Sequence, residues 1–254
     1  MQNKPLVSFI IPVFNAESFI YNNLKQFSNY CLNSNFNSEI IVVNDGSNDK
    51  TDEIINDYLV ENKNDNLIKY INLTENVGKG SAIKKGIFAT KGQFIVFTDC
   101  DLPYSFHNID NVVDKLTNGL ANVIIANRMH KDSHYVIKSG NLSYIYIRHT
   151  SGRVYNFLIR LLCDLDIADT QAGLKGFDRE SAELIFSKMT ISGFSFDIDI
   201  LVCAKVHKKT IHTIPIHFNY ETEMSTVNFV KQTFIMTTDL MRIFIKRING
   251  GYRR

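Results

Sequence analysis

The stretch "EIIVVNDGSNDKT", residues 39–51, decides the fold class of this 254-residue chain. Residues 40–43 are apolar without interruption, which indicates a strand buried on both faces of a sheet. Residues 45–47 have the chemistry of a turn, and Asp49 suits the start of a helix, where a carboxylate meets the positive end of the helix dipole. A strand that passes through a short turn into a helix is the building unit of parallel α/β sheets.

The same unit recurs through the first half of the chain. The sequence predicts strands with continuous apolar character at residues 6–13, 39–44, 67–72, 94–99 and 122–127. Helices are predicted between them, near residues 17–30, 50–63, 79–90 and 106–118. We therefore expect an α/β fold with a doubly wound, mostly parallel sheet and helices on both faces. Ligands of such sheets bind at the carboxyl ends of the strands.

The pattern is less regular after residue 128. Residues 144–165 indicate a helix or a pair of helices, further helices are predicted at 178–188, 195–208 and 226–248, and a late strand is predicted at 210–218. Because no repeat or Pro- and Gly-rich linker divides the chain, we expect one domain over residues 1–254. Its parts are an α/β half (1–127), a second half (128–225) and a basic amphipathic helix (226–254).

The composition argues against several classes of protein. The 28 Lys and Arg residues nearly balance the 26 Asp and Glu residues, so we expect no nucleic-acid partner. Neither the 4 cysteines nor the 7 histidines have the spacing of a metal site. The amino terminus lacks the features of a signal peptide, and no apolar run reaches the roughly 18 residues that a membrane span needs. We expect a cytoplasmic protein that is soluble or bound to a membrane surface.

Two carboxylates, Asp99 and Asp101, follow the predicted strand in "FIVFTDCDLP" (94–103). On a strand, residues i and i+2 point to the same face, about 6.6 Å apart at ~3.3 Å per residue. Two direct ligands of one Mg²⁺ must lie closer, since the metal–oxygen distance is about 2.1 Å. Either the chain curls after Asp99, as Pro103 favours, or only one Asp binds metal directly. The alternative is that one Asp caps the next helix and the other is solvated.

Asp45 and Lys79 are further candidates for the same edge of the sheet. Asp45 directly follows a buried strand, where a base or ribose binds in folds of this kind. In "NVGKGSAIKKG" (76–86), Gly78 and Gly80 permit close approach to the backbone, and Lys79 is placed to meet a phosphate. This segment matches neither a P-loop nor a dinucleotide-binding fingerprint.

Taken in order, these motifs resemble those of the family 2 glycosyltransferases, which have the GT-A fold. The resemblance covers residues 6–220 and rests on "VSFIIPVFNAE", "EIIVVNDGSNDKT", "NVGKGSAIKKGI", "FTDCDLP" and "VIIANR". Two later segments, "DTQAGLKGFDRE" (169–180) and "SFDIDILVCAK" (195–205), resemble the dolichyl-phosphate glucosyltransferase and mannosyltransferase branch. The first of the two is closer to the glucosyl enzymes.

The resemblance implies a nucleotide-sugar donor, with UDP-glucose favoured over GDP-mannose, and Mg²⁺ or Mn²⁺ as cofactor. Residues 1–127 would bind the donor, and residues 128–225 would face the acceptor. The site residues that it implies are Pro12, Glu17 and Asp45 at the nucleotide, Asp99 at the ribose or metal, Asp101 at the metal, Arg128 at a phosphate, and Asp169 and Gln171 beside the sugar and acceptor. The chain departs from several mannosyl relatives at Pro103, where they have a Gln that binds the metal.

Two kinds of acceptor are compatible with these residues. A sugar hydroxyl is a poor nucleophile and needs a general base, for which Asp169 is the candidate. A polyprenyl monophosphate is mostly dianionic at pH 7, because its second pKa is about 6, and it needs cations instead. Basic and aromatic residues alternate after residue 127, which suits a phosphate on an apolar tail at a membrane surface. They are Arg128, Lys138, Arg148, Arg153 and Arg160, with Tyr135, Tyr144, Tyr146, Tyr155 and Phe157. The alternative is an amphipathic helix whose arginines extend to solvent.

The terminal segment 226–254 presents a similar choice, between a helix packed on the core and one that lies on a membrane. Near anionic lipid each basic residue adds ~1 kcal/mol of binding. The favoured function is a metal-dependent inverting glycosyltransferase that moves glucose from UDP-glucose to a dolichyl- or undecaprenyl-type phosphate, peripherally bound at the inner face of a membrane. The alternatives are transfer to a glycan hydroxyl, and a non-catalytic protein that binds nucleotide sugars.

Overall fold

The computed structural model describes residues 6–62, 67–137, 155–220 and 229–253. Its strands are β1 (Leu6–Val13), β2 (Asn37–Asn44), β3 (Ile68–Asn72), β4 (Phe94–Phe97), β5 (Val123–Asn127), β6 (His134–Ile137), β7 (Lys175–Asp178), β8 (Ile211–Pro215) and β9 (His217–Tyr220). Seven of them form one sheet in the order β3-β2-β1-β4-β7-β5-β8, and β6 pairs with β9 in a separate small sheet.

The large sheet is mostly parallel, as predicted. β1 runs parallel to β2 and β4, β2 to β3, and β5 to β8, whereas β7 is antiparallel to both of its neighbours. β7 and β6 are absent from the sequence prediction. The late strand predicted at 210–218 is divided in two, because β8 belongs to the large sheet and β9 to the small one.

The helices agree with the predicted ones to within a few residues. They are α1 (Ile20–Asn33), α2 (Thr51–Glu61), α3 (Lys79–Ala89), α4 (Phe106–Thr117), α5 (155–163), α6 (Arg179–Lys188), α7 (Phe196–Val206) and α8 (Phe229–Ile248). Residues 144–154 of the predicted helical segment lie outside the described residues. The same holds for the side chains of six of the candidate acceptor-binding residues: Tyr135, Lys138, Tyr144, Tyr146, Arg148 and Arg153.

Helices cover the large sheet on both faces because its central strands bury alternate residues on opposite sides. On one face Phe9 and Ile11 of β1 pack with residues of α1, α2 and α4. On the other face Ile10 belongs to a core cluster that also contains residues of α3, α6 and α7, and Leu240 and Ile243 of α8. Burial on both faces is the physical reason for the continuous apolar runs in the sequence.

The C-terminal helix is fixed to the core through Asp199 of α7, whose carboxylate is fully buried. It accepts hydrogen bonds from the amides of Thr190 (2.6 Å) and Ile191 (3.0 Å). Lys246 Nζ of α8 lies 3.0 Å from the same carboxylate, which also accepts a bond from the Tyr252 hydroxyl. One side of α8 therefore packs on the core. None of the helices in the described part of the chain is long and apolar enough to cross a membrane.

Candidate active site

The predicted site residues come together at one edge of the large sheet. Asp45 follows the carboxyl end of β2, Asp99 that of β4 and Arg128 that of β5. The antiparallel strand β7 begins at this edge, since Lys175 lies opposite Phe97, the last residue of β4. The segment before β7, residues 169–174, is therefore brought beside the residues that follow β4 and β5. An unpredicted strand thus explains how the late "DTQ" motif reaches the earlier ones.

Asp45 is buried, with 3% of its surface exposed, and holds the loop before α3. Its carboxylate accepts hydrogen bonds from the amides of Val77 (2.8 Å) and Gly78 (3.0 Å). Burial raises the pKa of Asp45, and these two bonds together with the charge of Lys85 only partly offset that rise. The observed contacts of Asp45 are thus with its own chain, and the predicted contact with the base stays a prediction.

The glycines before α3 approach other parts of the protein closely. Gly78 has a φ of +92°, and a Cβ there would lie 2.6 Å from the carbonyl oxygen of Ser192. A Cβ on Gly80 would lie 2.5 Å from Cβ of Phe196, and the Gly80 amide donates to the Ser192 carbonyl at 2.7 Å. The first amides of α3 are therefore used by a protein carbonyl, and the close approach predicted at these glycines is made here by Ser192 and Phe196 of the same chain. The contact of Lys79 with a phosphate stays a prediction.

Lys79 forms an ion pair with Asp99. Burial by itself lowers the pKa of Lys79, but the attraction of Asp99 and Asp197 outweighs it and the pKa is raised. Lys79 therefore stays charged and offsets the cost of placing a carboxylate at the end of a buried strand. From the sequence we expected Asp99 to face the ribose or a metal ion, and this contact with Lys79 was not foreseen.

Asp99 and Asp101 lie in a turn. β4 ends at Phe97, and the amide of Leu102, which has a φ of 49°, donates to the carbonyl of Asp99 at 3.2 Å. The predicted strand at 94–99 is therefore too long, and the spacing of two residues on one strand face does not apply. The chain therefore curls after Asp99, which is one of the two arrangements that the sequence left open, and the binding of a metal by one or both carboxylates stays a prediction. Asp101 is exposed, while Asp99 is half-buried beside Lys79.

The donor atoms of this turn fit a divalent cation that binds together with a diphosphate. Within the described ranges, no group of three or more His, Cys, Asp or Glu residues could hold a metal ion. Mg²⁺, however, usually binds proteins through only one or two carboxylates, with water and substrate phosphates completing its shell. Asp99 and Asp101 supply that number of carboxylates, and Pro103 adds no ligand.

Arg128 and Asp169 form a bidentate ion pair. Arg128 Nε lies 2.7 Å from Asp169 Oδ2 and Nη2 lies 2.8 Å from Oδ1, while the Arg128 amide donates to Oδ2 at 3.0 Å. Burial raises the pKa of Asp169, but the bonds and charge of Arg128 outweigh this and hold the pKa below its ordinary value. Asp169 is therefore a weak base, because protonation would break its contacts with Arg128.

The 169–174 segment packs directly on Asp99. The Gly173 amide donates to the hydroxyl of Tyr104 at 2.7 Å. A Cβ on Gly173 would lie 1.9 Å from Asp99 Oδ2, so only glycine leaves room for that carboxylate. Gln171 lies half-buried between Asp169 and Gly173. The two carboxylate motifs are therefore in contact through one glycine, a feature that spacing in the sequence cannot show.

The remaining predicted nucleotide residues lie at the adjoining ends of β1 and β2. Pro12 is buried in β1 opposite Val43. Glu17 is exposed, and its carboxylate accepts from the Lys50 amide at 2.9 Å, while its own amide donates to Asp49 at 3.2 Å. Pro12 and Glu17 thus line the side of the edge next to Asp45, and Glu17 ties the loop after β1 to the start of α2.

The family is established by comparison with known proteins. The model of glycosyl transferase family 2 matches residues 8–186. The chain belongs to glycosyl transferase family 2. It is similar to a dolichyl-phosphate β-glucosyltransferase of Trichomonas vaginalis, with 30% identity over 94% of this chain and 73% of the relative. The human dolichyl-phosphate β-glucosyltransferase is 28% identical over 97% of this chain and 77% of its own. The expected resemblance is thus confirmed, and the chain is a glycosyltransferase.

Solved structures confirm the GT-A fold. Glucosyl-3-phosphoglycerate synthase from Mycobacterium tuberculosis, crystallised with Mn²⁺, UDP and glucosyl-3-phosphoglycerate, is similar with a TM-score of 0.63 and 16% identity, over 96% of this chain and 80% of that one. Mannosyl-3-phosphoglycerate synthase from Rubrobacter xylanophilus has a TM-score of 0.66 and 15% identity, over 98% and 76% of the two chains. At such identities the likeness concerns the fold alone.

Proposed function

We propose that this glycosyltransferase moves glucose from UDP-glucose to the phosphate of a polyprenyl phosphate, with inversion at the anomeric carbon. The relatives named above support the acceptor and the sugar, because their similarity extends over 94–97% of this chain. The similar synthase crystallised with Mn²⁺ and UDP supports the nucleotide and the use of a divalent metal. GDP-mannose is the alternative donor.

The observation that carries the choice of acceptor is the Arg128–Asp169 pair. A glycan hydroxyl requires a base within reach, and the candidate base has its pKa lowered and both carboxylate oxygens bonded to Arg128. A phosphate acceptor is already ionised near pH 7, since its second pKa is about 6. Such an acceptor needs a cation, and Arg128 Nη1 makes no hydrogen bond to any described residue. In this proposal Asp169 orients Arg128 toward a phosphate and removes no proton.

The reaction is a single displacement. An oxygen of the acceptor phosphate forms a bond to the anomeric carbon while the bond between that carbon and the β-phosphate oxygen breaks, and UDP leaves. Asp99 and Asp101 would hold Mg²⁺ or Mn²⁺, which supplies positive charge for the leaving diphosphate when bound. Lys79, which forms an ion pair with Asp99, lies beside these two carboxylates and is placed to contact a phosphate of the donor.

The other predicted residues line the rest of the donor and acceptor sites in this proposal. Pro12, Glu17 and Asp45 form the wall of the nucleotide pocket, and Gln171 lies beside the sugar. Residues 1–127 would thus bind the donor, and residues 128–225 would face the acceptor within one domain of residues 1–254.

The outer side of α8 supports peripheral attachment to the inner face of a membrane. Phe234, Met241, Ile245 and Ile248 are exposed, with 45–73% of their surface accessible, and their spacing puts them on one face of the helix. They extend over about 21 Å at 1.5 Å per residue. Arg242, whose side chain is 73% exposed, lies beside this face. An apolar face with an adjacent basic residue suits anionic lipid, where the polyprenyl acceptor resides.

The experiment that tests the proposal supplies the protein with a panel of nucleotide sugars, a short polyprenyl phosphate and Mg²⁺ or Mn²⁺. Mass spectrometry then looks for lipid-linked hexose. We expect a glucosyl lipid from UDP-glucose, its loss on addition of EDTA and its return with excess metal. Absence of glycolipid with every donor would refute the lipid acceptor, and a mannosyl product from GDP-mannose alone would refute the sugar.

A further inference from the structure

A lysine and a carboxylate form a buried ion pair directly beneath the active site. Lys175 of β7 has no exposed surface, and its Nζ lies 2.5 Å from Oδ1 of Asp197 on α7. The same Nζ lies 5.5 Å from the centre of the Phe97 ring at the end of β4. Burying two charges costs several kcal/mol per ion, and well-packed apolar residues often replace such pairs without loss of stability. Stability alone therefore does not account for this pair.

Lys175 also bonds to the segment that carries the site. Its Nζ donates to the carbonyl oxygen of Ala172 at 2.6 Å, three residues back along the chain. This bond ties the carbonyl group of Ala172 to the first residue of β7 and so fixes the backbone between them. An apolar side chain cannot make it, whereas an ammonium group has three N–H donors and can reach Asp197 and Ala172 together.

Residues 169–173, fixed in this way, set the positions of both Asp99 and Arg128. Gly173, next to Ala172, lies against the carboxylate of Asp99, and its amide donates to the Tyr104 hydroxyl. Asp169, three residues before Ala172, holds the guanidinium of Arg128. A displacement of the Ala172 carbonyl therefore changes the contact with Asp99 on one side and the orientation of Arg128 on the other.

We propose that Lys175, held by Asp197, is a positioning residue for glycosyl transfer, which locks residues 169–173 so that Asp99 and Arg128 keep the separation that the reaction needs. This inference rests on the proposed roles of Asp99 and Arg128. Lys175 touches no substrate in it. Loss of Lys175 is therefore expected to lower kcat, because misplacement of reacting groups by about 1 Å can cost ~10²-fold in rate.

The test separates positioning from simple charge compensation. Lys175→Met and Asp197→Ala each leave one buried charge unpaired, so both single variants are expected to unfold at lower temperature. The double variant Lys175→Met/Asp197→Ala removes both charges and is expected to regain most of the thermal stability. Its kcat is expected to stay about 10²-fold below that of the wild type, with KM for the nucleotide sugar changed less than about threefold. Lys84→Met is the matched control, since Lys84 also donates to a backbone carbonyl, that of Met189, away from the site.

Hydrogen exchange supplies a readout that does not depend on activity. The amides of residues 170–174 are expected to exchange faster in the double variant than in the wild type, and to be unchanged in Lys84→Met. A stable double variant with wild-type kcat and wild-type exchange would overturn the inference. If the wild type itself glycosylates no polyprenyl phosphate, the proposed acceptor fails while exchange still tests Lys175.

Tyr104→Phe tests the segment from its other side and covers the case in which the Lys175 variants fail to fold. It removes the acceptor of the Gly173 amide bond. We expect kcat to fall roughly fivefold with KM nearly unchanged, as for the loss of one hydrogen bond of about 1 kcal/mol. An unaltered kcat in Tyr104→Phe would contradict the role given to this segment.

Discussion

Replacement of Gly173 by alanine perturbs the contact between the 169–174 segment and the carboxylate of Asp99. The added Cβ would lie 1.9 Å from Asp99 Oδ2, whereas real Cβ atoms keep at least about 3.0 Å from their neighbours. Either the Asp99 carboxylate or the 169–174 segment must therefore move by about 1 Å, a displacement that can cost ~10²-fold in rate. That loss corresponds to about 2.7 kcal/mol of transition-state stabilisation, at 1.36 kcal/mol for each tenfold change.

The assay is steady-state transfer from UDP-glucose to a short polyprenyl phosphate, with thermal unfolding measured in parallel. Gly193→Ala is the matched control, because a Cβ on Gly193 meets no atom within 4 Å. We expect Gly173→Ala to remain folded and to lose about two orders of magnitude in kcat, and Gly193→Ala to behave as the wild type. A Gly173→Ala protein with normal kcat would mean that the position of Asp99 is not critical for transfer.

Three further predictions concern stability and membrane binding. Tyr252→Phe removes a hydrogen bond to a buried carboxylate and is expected to lower the free energy of unfolding by ~1.5–3 kcal/mol in urea titrations, whereas Tyr21→Phe, at an exposed contact, should change it little. Asp169 has a lowered pKa in the folded state, so its contribution to stability is complete above the unfolded pKa of about 3.9 and is lost as pH falls through the folded value. Asp169→Asn should therefore be least stable relative to the wild type at neutral pH, and a gap that widens on acidification would contradict this. Ile248→Glu is expected to reduce co-sedimentation with anionic vesicles severalfold, and Phe88→Glu, a similarly exposed apolar position on α3, should not; equal losses would refute the assignment of the α8 face.

The parallel part of the fold could be predicted because each of its strands is buried on both faces, and continuous apolar runs record that burial directly. β7 carries no such signal, since "KGFD" contains a lysine, a glycine and an aspartate. Lys175 can be buried there only because Asp197, 22 residues later, reaches it from α7. That compensation is a tertiary contact, which no local pattern shows. An acidic residue within the apolar helix "FDIDILVCAKV" was the available hint.

The sequence predicted which residues form the site and where in the fold they lie, but not which residues they bond to. The carboxyl ends of parallel strands meet at one edge, so Asp45 and Asp99 were expected together, while Arg128 was added to them by the family resemblance. Their contacts depend on chain segments that are distant in the sequence, and for this reason the pairing of Lys79 with Asp99 was missed. For the same reason the sequence did not show that Ser192 and Phe196 are the groups that approach Gly78 and Gly80 so closely.

An acceptor phosphate needs no base, whereas an acceptor hydroxyl does, and a matched pair of acceptors distinguishes the two. The protein is given UDP-glucose, metal and either a polyprenyl phosphate or the corresponding polyprenol, which differ only in the phosphate group. We expect rapid formation of glucosyl phosphoryl lipid and no detectable glucosylation of the alcohol, by mass spectrometry. Transfer to the polyprenol or to a glycan hydroxyl at a rate equal to that with the phosphate would contradict it.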